Sequence, residues 1–230
     1  MGHPANDRHR DSVRVSGAQT SGLARAASPA LPSPWADKRA FLSGFLRHPR
    51  EVGSVIPSSP WMERRLVRTA QLAQARRVVE LGPGTGGTTQ AFLRAMPADA
   101  RLLAIELSPV FRDRLARQQP DPRLVVQCGS AEQIADFLRL HNMAAPDVVI
   151  SGIPFSTMPL AVADRIAAAV TEVLPPGGRF VAYQLRPHVA RVTTPYLGQP
   201  ERSLELLNIP PMQVFCWTKR PATGSGSPPG

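Results

Sequence analysis

Hydrophobic and polar positions follow two different periods along this chain, and the switches between them mark out its elements. Compact apolar runs fall near residues 76–81, 101–106, 123–127, 147–151 and 179–185. Between them, stretches near 87–96, 108–118, 131–141 and 158–174 carry apolar residues at three- and four-residue spacing. The first pattern suits strands buried on both faces, and the second suits amphipathic helices. Strands alternating with helices predict a doubly wound, mostly parallel α/β sheet. Two further runs, near 202–207 and 212–218, are joined by Asn208-Ile209-Pro210-Pro211 and predict an antiparallel hairpin at the edge of what becomes a seven-stranded sheet. Upstream, Ser58-Ser59-Pro60 supplies a capping serine and a first-turn proline, and predicts a helix running to about Ala75.

The flanks differ from this middle. Residues 1–34 are rich in Ser, Ala, Pro, Arg and Gly without apolar periodicity, and read as a disordered leader. Residues 221–230 read as a flexible tail. Residues 35–220 remain as one domain with room for a full core. At its start, Phe41, Leu42, Phe45 and Leu46 share one helical face flanked by Lys38, Arg39, Arg47 and His48. A basic amphipathic helix of this kind, over 35–50, suits a membrane interface; packing as a cap on the domain is the other reading.

Charge sharpens the choice of partners. The 230 residues carry a formal net charge of +10, which favours nucleic acid, a phospholipid surface or an acidic protein. The first 50 residues hold eight Lys or Arg against three Asp or Glu, but no run of five basic residues marks a nucleic-acid arm. No stretch reaches the roughly 20 apolar residues of a spanning helix, and no signal-peptide core follows the first residues. Cys128 and Cys216 stand at no metal or redox spacing and read as core thiols of a cytoplasmic protein.

The chemistry concentrates at residues 78–88, Val-Val-Glu-Leu-Gly-Pro-Gly-Thr-Gly-Gly-Thr. Gly82, Gly84 and Gly86 allow a sharp turn and a close approach of backbone to ligand. Strand, glycine turn and helix form the opening unit of a nucleotide-binding α/β fold. Glu80 precedes the first glycine by two residues, and Glu106, 24 residues after Gly82, ends the next predicted strand. A carboxylate there accepts two hydrogen bonds, as a ribose diol requires. Ligands of such sheets lie beyond the carboxyl ends of the strands, so Glu106-Leu107, Ser130-Ala131, Ser151 to Phe155 and the segment from Gln184 should face one crevice. His48, His141 and His188 are isolated in sequence, and only His188 falls beside that crevice.

The glycine motif resembles the first motif of class I S-adenosylmethionine-dependent methyltransferases. More narrowly, the chain resembles bacterial phospholipid N-methyltransferases across roughly residues 41–218. The likeness rests on Phe41 to Pro49, Val52 to Ser59, Val79 to Gly86, Ser151-Gly152-Ile153-Pro154-Phe155 and Asn208-Ile209-Pro210-Pro211. It implies S-adenosyl-L-methionine as cofactor, held by Glu80, Gly82, Gly84, Gly86, Glu106, Leu107, Ser130, Ala131 and Ser151, with no metal. The implied substrate is phosphatidylethanolamine or its methylated forms, and the implied location is the inner membrane surface. Ser151 would lie by the reacting amine, Phe155 and Tyr183 would offer aromatic faces to a methylated ammonium, and Arg186 and His188 would contact the headgroup.

Ribosomal RNA adenine dimethyltransferases are similar at a greater distance. They usually carry Asn-Leu-Pro-Tyr where this chain has Ser151 and Phe155, which weighs against RNA. Many relatives also have Asp where Ser130 stands, so the adenine contact here would lack a charge. A natural-product methyltransferase, or a cofactor-binding membrane module without catalysis, are the further alternatives.

Overall fold

The computed structural model describes residues 58–221. The leader, the basic apolar stretch at 35–50 and the tail beyond Pro221 lie outside the described residues. The chain begins with α1 (Pro60–Thr69), then β1 (Arg77–Leu81), α2 (Gly87–Ala95), β2 (Arg101–Glu106) and α3 (Pro109–Gln118). Next come β3 (Leu124–Cys128), α4 (Ile134–Leu140), β4 (Val148–Ser151) and α5 (Leu160–Val173). The described chain closes with β5 (Arg179–Gln184), α6 (His188–Leu197), β6 (Glu201–Glu205) and β7 (Met212–Thr218). Short 3-10 turns at Ala131–Gln133 and Phe155–Thr157 precede α4 and α5.

All seven strands join one sheet in the order β3-β2-β1-β4-β5-β7-β6. Strands β1 to β5 pair in parallel, while β7 runs antiparallel to β5 and β6 antiparallel to β7. The order reverses between β1 and β4, so the crevice opens beyond their carboxyl ends. Successive strand residues feed opposite layers. Val79 and Leu81 enter the core beneath α4, α5 and α6, whereas Val78 enters the core beneath α1 and α2. Both layers are built from buried aliphatic and aromatic side chains, which is why the central strands are mostly apolar, with Glu80 and Ser151 as buried polar exceptions.

Two helices depart from the sequence expectation. Helix α1 stops at Thr69 and not near Ala75. Gln71 turns to φ +52°, the Gln71 amide donates to the Arg68 carbonyl, and the Leu72 amide donates to the Val67 carbonyl. This is the Schellman pattern, closed here by a glutamine where glycine is usual. Leu72 and Ala75 are nevertheless buried, which explains their helix-like apolar spacing. Helix α6 is absent from the sequence reading. Pro187 caps its start and Pro195 lies inside it, so the segment reads as loop. Burial of Val189, Ala190, Val192 and Thr193 holds it as helix.

Candidate active site

The glycine turn is stretched between β1 and β2. The Gly82 amide donates to the Ile105 carbonyl at 2.9 Å, and φ is +70°, +55° and +84° at Gly82, Gly84 and Gly86. A side chain at Gly86 would run into Leu115 of α3, and one at Gly82 would press on Ile153. The turn therefore needs glycine for its backbone and for its packing.

Glu106 lies at the tip of β2 and is buried. Its carboxylate accepts the Gly84 amide at 3.0 Å and the Ser108 amide at 2.9 Å. It thus ties the glycine turn to the start of α3, where Ser108 caps the helix. A carboxylate has about four acceptor positions, so these amides do not exhaust it. Burial raises its pKa, and the amides of Ser108, Gly84 and Leu107 pull it back down.

Glu80 plays a different part. It is 1 % exposed, on the α2 face of the sheet, with Thr88 Oγ1 and Thr89 Oγ1 donating to its two oxygens at 2.7 Å each. It anchors the first turn of α2 to β1 and so sets the direction in which the glycine turn leaves the strand. Sequence reading missed both threonines; their hydroxyls at the start of a helix, eight and nine residues past a carboxylate, were the available signal.

Burial pushes the Glu80 carboxyl up to about 7, against the pull of the two hydroxyls, and the Glu106 charge adds to the rise. The unfolded chain releases this proton near the ordinary value of 4.5 while the folded protein keeps it. Stability is therefore expected to fall as pH rises from about 4.5 to 7 and to level off above that. The Glu80 contribution is on the order of 3 kcal/mol at most. Glu80→Gln should flatten this slope, because a threonine hydroxyl can turn to accept from the new amide. Urea unfolding at a series of pH values checks it; an unchanged slope would assign the effect to other groups.

Ser151 ends β4 between Leu81 and Ala182, fully buried, and its Oγ accepts the Ile153 amide at 3.3 Å. It ends the strand beside the point where the strand order reverses. Ser130 caps the 3-10 turn that begins at Ala131: its Oγ accepts the Glu132 amide and donates to Glu132 Oε1, both at 3.3 Å. Its hydroxyl is thus already occupied in the turn that would receive adenine. Arg186 and His188 are exposed on the rim where β5 passes into α6.

The expected pairing of Phe155 and Tyr183 as one aromatic cage is corrected. Phe155 is 3 % exposed in the core beneath α5 and α6, whereas Tyr183 packs against the opposite core beneath α1 and α2. The sheet stands between them. Tyr183 points under the glycine turn, where its hydroxyl meets Thr88, and burial beside Glu80 raises its pKa. A Cβ at Gly152 would lie 2.9 Å from Tyr183 Cζ and 3.3 Å from the Gly82 carbonyl, so Gly152 makes room for this ring. Tyr183 is a support for the turn.

The chain is a class I S-adenosylmethionine-dependent methyltransferase. A family model for a methyltransferase domain matches residues 78–178. Ornithine lipid N-methyltransferase of Singulisphaera acidiphila is 32% identical over 179 residues, covering 76% of this chain and 92% of that enzyme. Within the class, the chain belongs to that enzyme's family, the lipid N-methyltransferases. Ribosomal RNA small subunit methyltransferase A of Thermotoga maritima is 29% identical over 115 residues, 48% of this chain but 37% of that protein. The structure of the O-methyltransferase TomG from Streptomyces achromogenes, in complex with SAM, aligns with a TM-score of 0.58 and 18% identity, covering 78% of this chain and 89% of that one. At that identity the likeness concerns the fold.

Proposed function

We propose that the protein methylates the amine of a membrane-lipid headgroup, with phosphatidylethanolamine and its methylated forms as substrates. The observation that carries this reading is the match to a lipid N-methyltransferase across 92% of its length, against 37% for the ribosomal RNA enzyme. When bound, S-adenosylmethionine supplies an electrophilic methyl group. The chain's own contribution is position and electrostatics. Gly82 to Gly86 and Glu106 hold the nucleotide part. Ser151, at the end of β4, offers its hydroxyl to orient the amine. Arg186 on the rim is placed to meet the headgroup phosphate.

We further propose that the reaction takes place at the inner membrane surface. No helix among the described residues is long and apolar enough to cross a membrane. The basic apolar stretch at 35–50 supports a peripheral attachment.

The test offers the full chain labelled S-adenosylmethionine with detergent micelles of phosphatidylethanolamine, with micelles of ornithine lipid, and with ribosomal RNA. Label should enter phosphatidylethanolamine. Label confined to ornithine lipid would keep the lipid amine and change the headgroup. Label in RNA alone would overturn the proposal.

A further inference from the structure

The loop between β6 and β7 is built unlike the rest of the surface. Leu206, Leu207 and Ile209 are 67%, 57% and 90% exposed, and Pro210 and Pro211 beside them are exposed too. Such a cluster is costly in water and marks a contact surface. The loop is nonetheless held firmly. Buried Asn208 accepts the Ser59 amide through Oδ1 at 2.9 Å and donates through Nδ2 to the Pro210 carbonyl at 3.0 Å. Buried Glu205 accepts the Leu207 amide at 3.1 Å and pairs with Arg65 of α1 at 2.7 Å. Polar side chains are thus turned inward as clamps while the aliphatic ones are turned out.

The loop adjoins the outer face of α1. Trp61, Arg64 and Arg68 recur there at helical spacing and are all exposed. Arg65 is taken by Glu205, but Arg64 and Arg68 have no ion pair among the described residues. A groove of about 870 Å³ lies on this face, lined by Trp61, Arg64, Arg68 and Leu207 together with Glu63 and Glu205, which pair with Arg94 and Arg65. It contains no residue of the glycine turn. Aliphatic tips, an interfacial tryptophan and a cationic border match the acyl, headgroup and phosphate layers of an anionic bilayer in turn.

Topology places this patch usefully. Gln184 at the end of β5 pairs with Gln213, and Glu205 pairs with Met212, so the loop projects from the same sheet edge as the crevice. It spans the first and second strand positions beyond β5, roughly 5 to 10 Å from the end of that strand.

We infer that the β6–β7 loop with the outer face of α1 is a bilayer-docking surface: Leu206, Leu207, Ile209 and Trp61 insert among anionic lipids, Arg64 and Arg68 bind their phosphates, and the crevice is presented to the headgroups. The inference rests on the lipid-substrate reading for its purpose.

Leu206→Asp with Ile209→Asp tests it in the full chain, since both positions are exposed and outside the site. Unchanged thermal melting and cofactor titration will show that the fold is intact. Wild type should float with phosphatidylglycerol vesicles, less so at high salt, and weakly with phosphatidylcholine vesicles. The double variant should lose at least about tenfold in vesicle partitioning. Its methylation of phosphatidylethanolamine in detergent micelles should match wild type. Undiminished flotation of the variant would overturn the inference. So would a wild-type dimer that the variant dissolves, because a second copy would then cover the face. If the variant fails to float while wild type floats yet methylates no lipid in micelles, docking stands and the lipid-substrate reading falls.

Discussion

Gly84→Val is expected to raise the dissociation constant for S-adenosylmethionine by about 100-fold or more, with the domain still folded. Gly84 sits at φ +55°, and its amide is held by Glu106. A β-branched residue in that region costs about 1–3 kcal/mol in backbone strain. Valine would also add bulk to a turn at which backbone and cofactor are expected to approach closely. A 100-fold loss corresponds to roughly 2.7 kcal/mol of binding energy. Calorimetric titration alongside a thermal melt measures both quantities. Near-normal affinity in a folded Gly84→Val protein would move the cofactor away from the turn.

Glu106→Ala is expected to weaken the cofactor by roughly 1–3 kcal/mol and to lower the melting temperature as well. The carboxylate is the shared acceptor of Gly84 and Ser108, so its loss leaves two amides without a partner as well as removing the proposed ribose contact. Glu106→Gln separates the two roles. It keeps one oxygen for a backbone amide but lacks the charge, so it should melt closer to wild type while still binding the cofactor poorly. If Glu106→Gln binds normally, Glu106 only braces the turn, and the ribose is held elsewhere.

The contrast between the two glutamates shows why site residues must be separated by geometry. Both are acidic, both end or nearly end a strand, and burial raises both pKa values. Glu80 has its oxygens engaged by side chains of the next helix, whereas Glu106 receives main-chain amides and faces the crevice. Spacing along the chain placed both at the cofactor. Only their hydrogen-bond partners distinguish the carboxylate that braces α2 from the one that ties the glycine turn to α3.

The sequence by itself determined the strand–glycine turn–helix unit, the seven strands, their parallel and antiparallel senses, and Glu106 at the tip of β2. These are local matters. A strand buried on both faces is apolar at nearly every position, and a tight turn needs glycine wherever φ is positive. What depended on residues distant in sequence had to await the tertiary structure. Helix α1 ends at Thr69 because a Schellman closure at Gln71 and the burial of Leu72 outweigh a residue type that seldom signals a stop. Helix α6 forms despite Pro195 because its apolar face is buried against α5 and β7. Phe155 and Tyr183 read as neighbours, yet side-chain alternation and the turn after β4 send them to opposite faces of the sheet. The β6–β7 loop reads as an ordinary proline turn. It becomes an apolar edge only because Asn208 and Glu205 reach α1, about 140 to 150 residues away in sequence, and spend their polar groups inward.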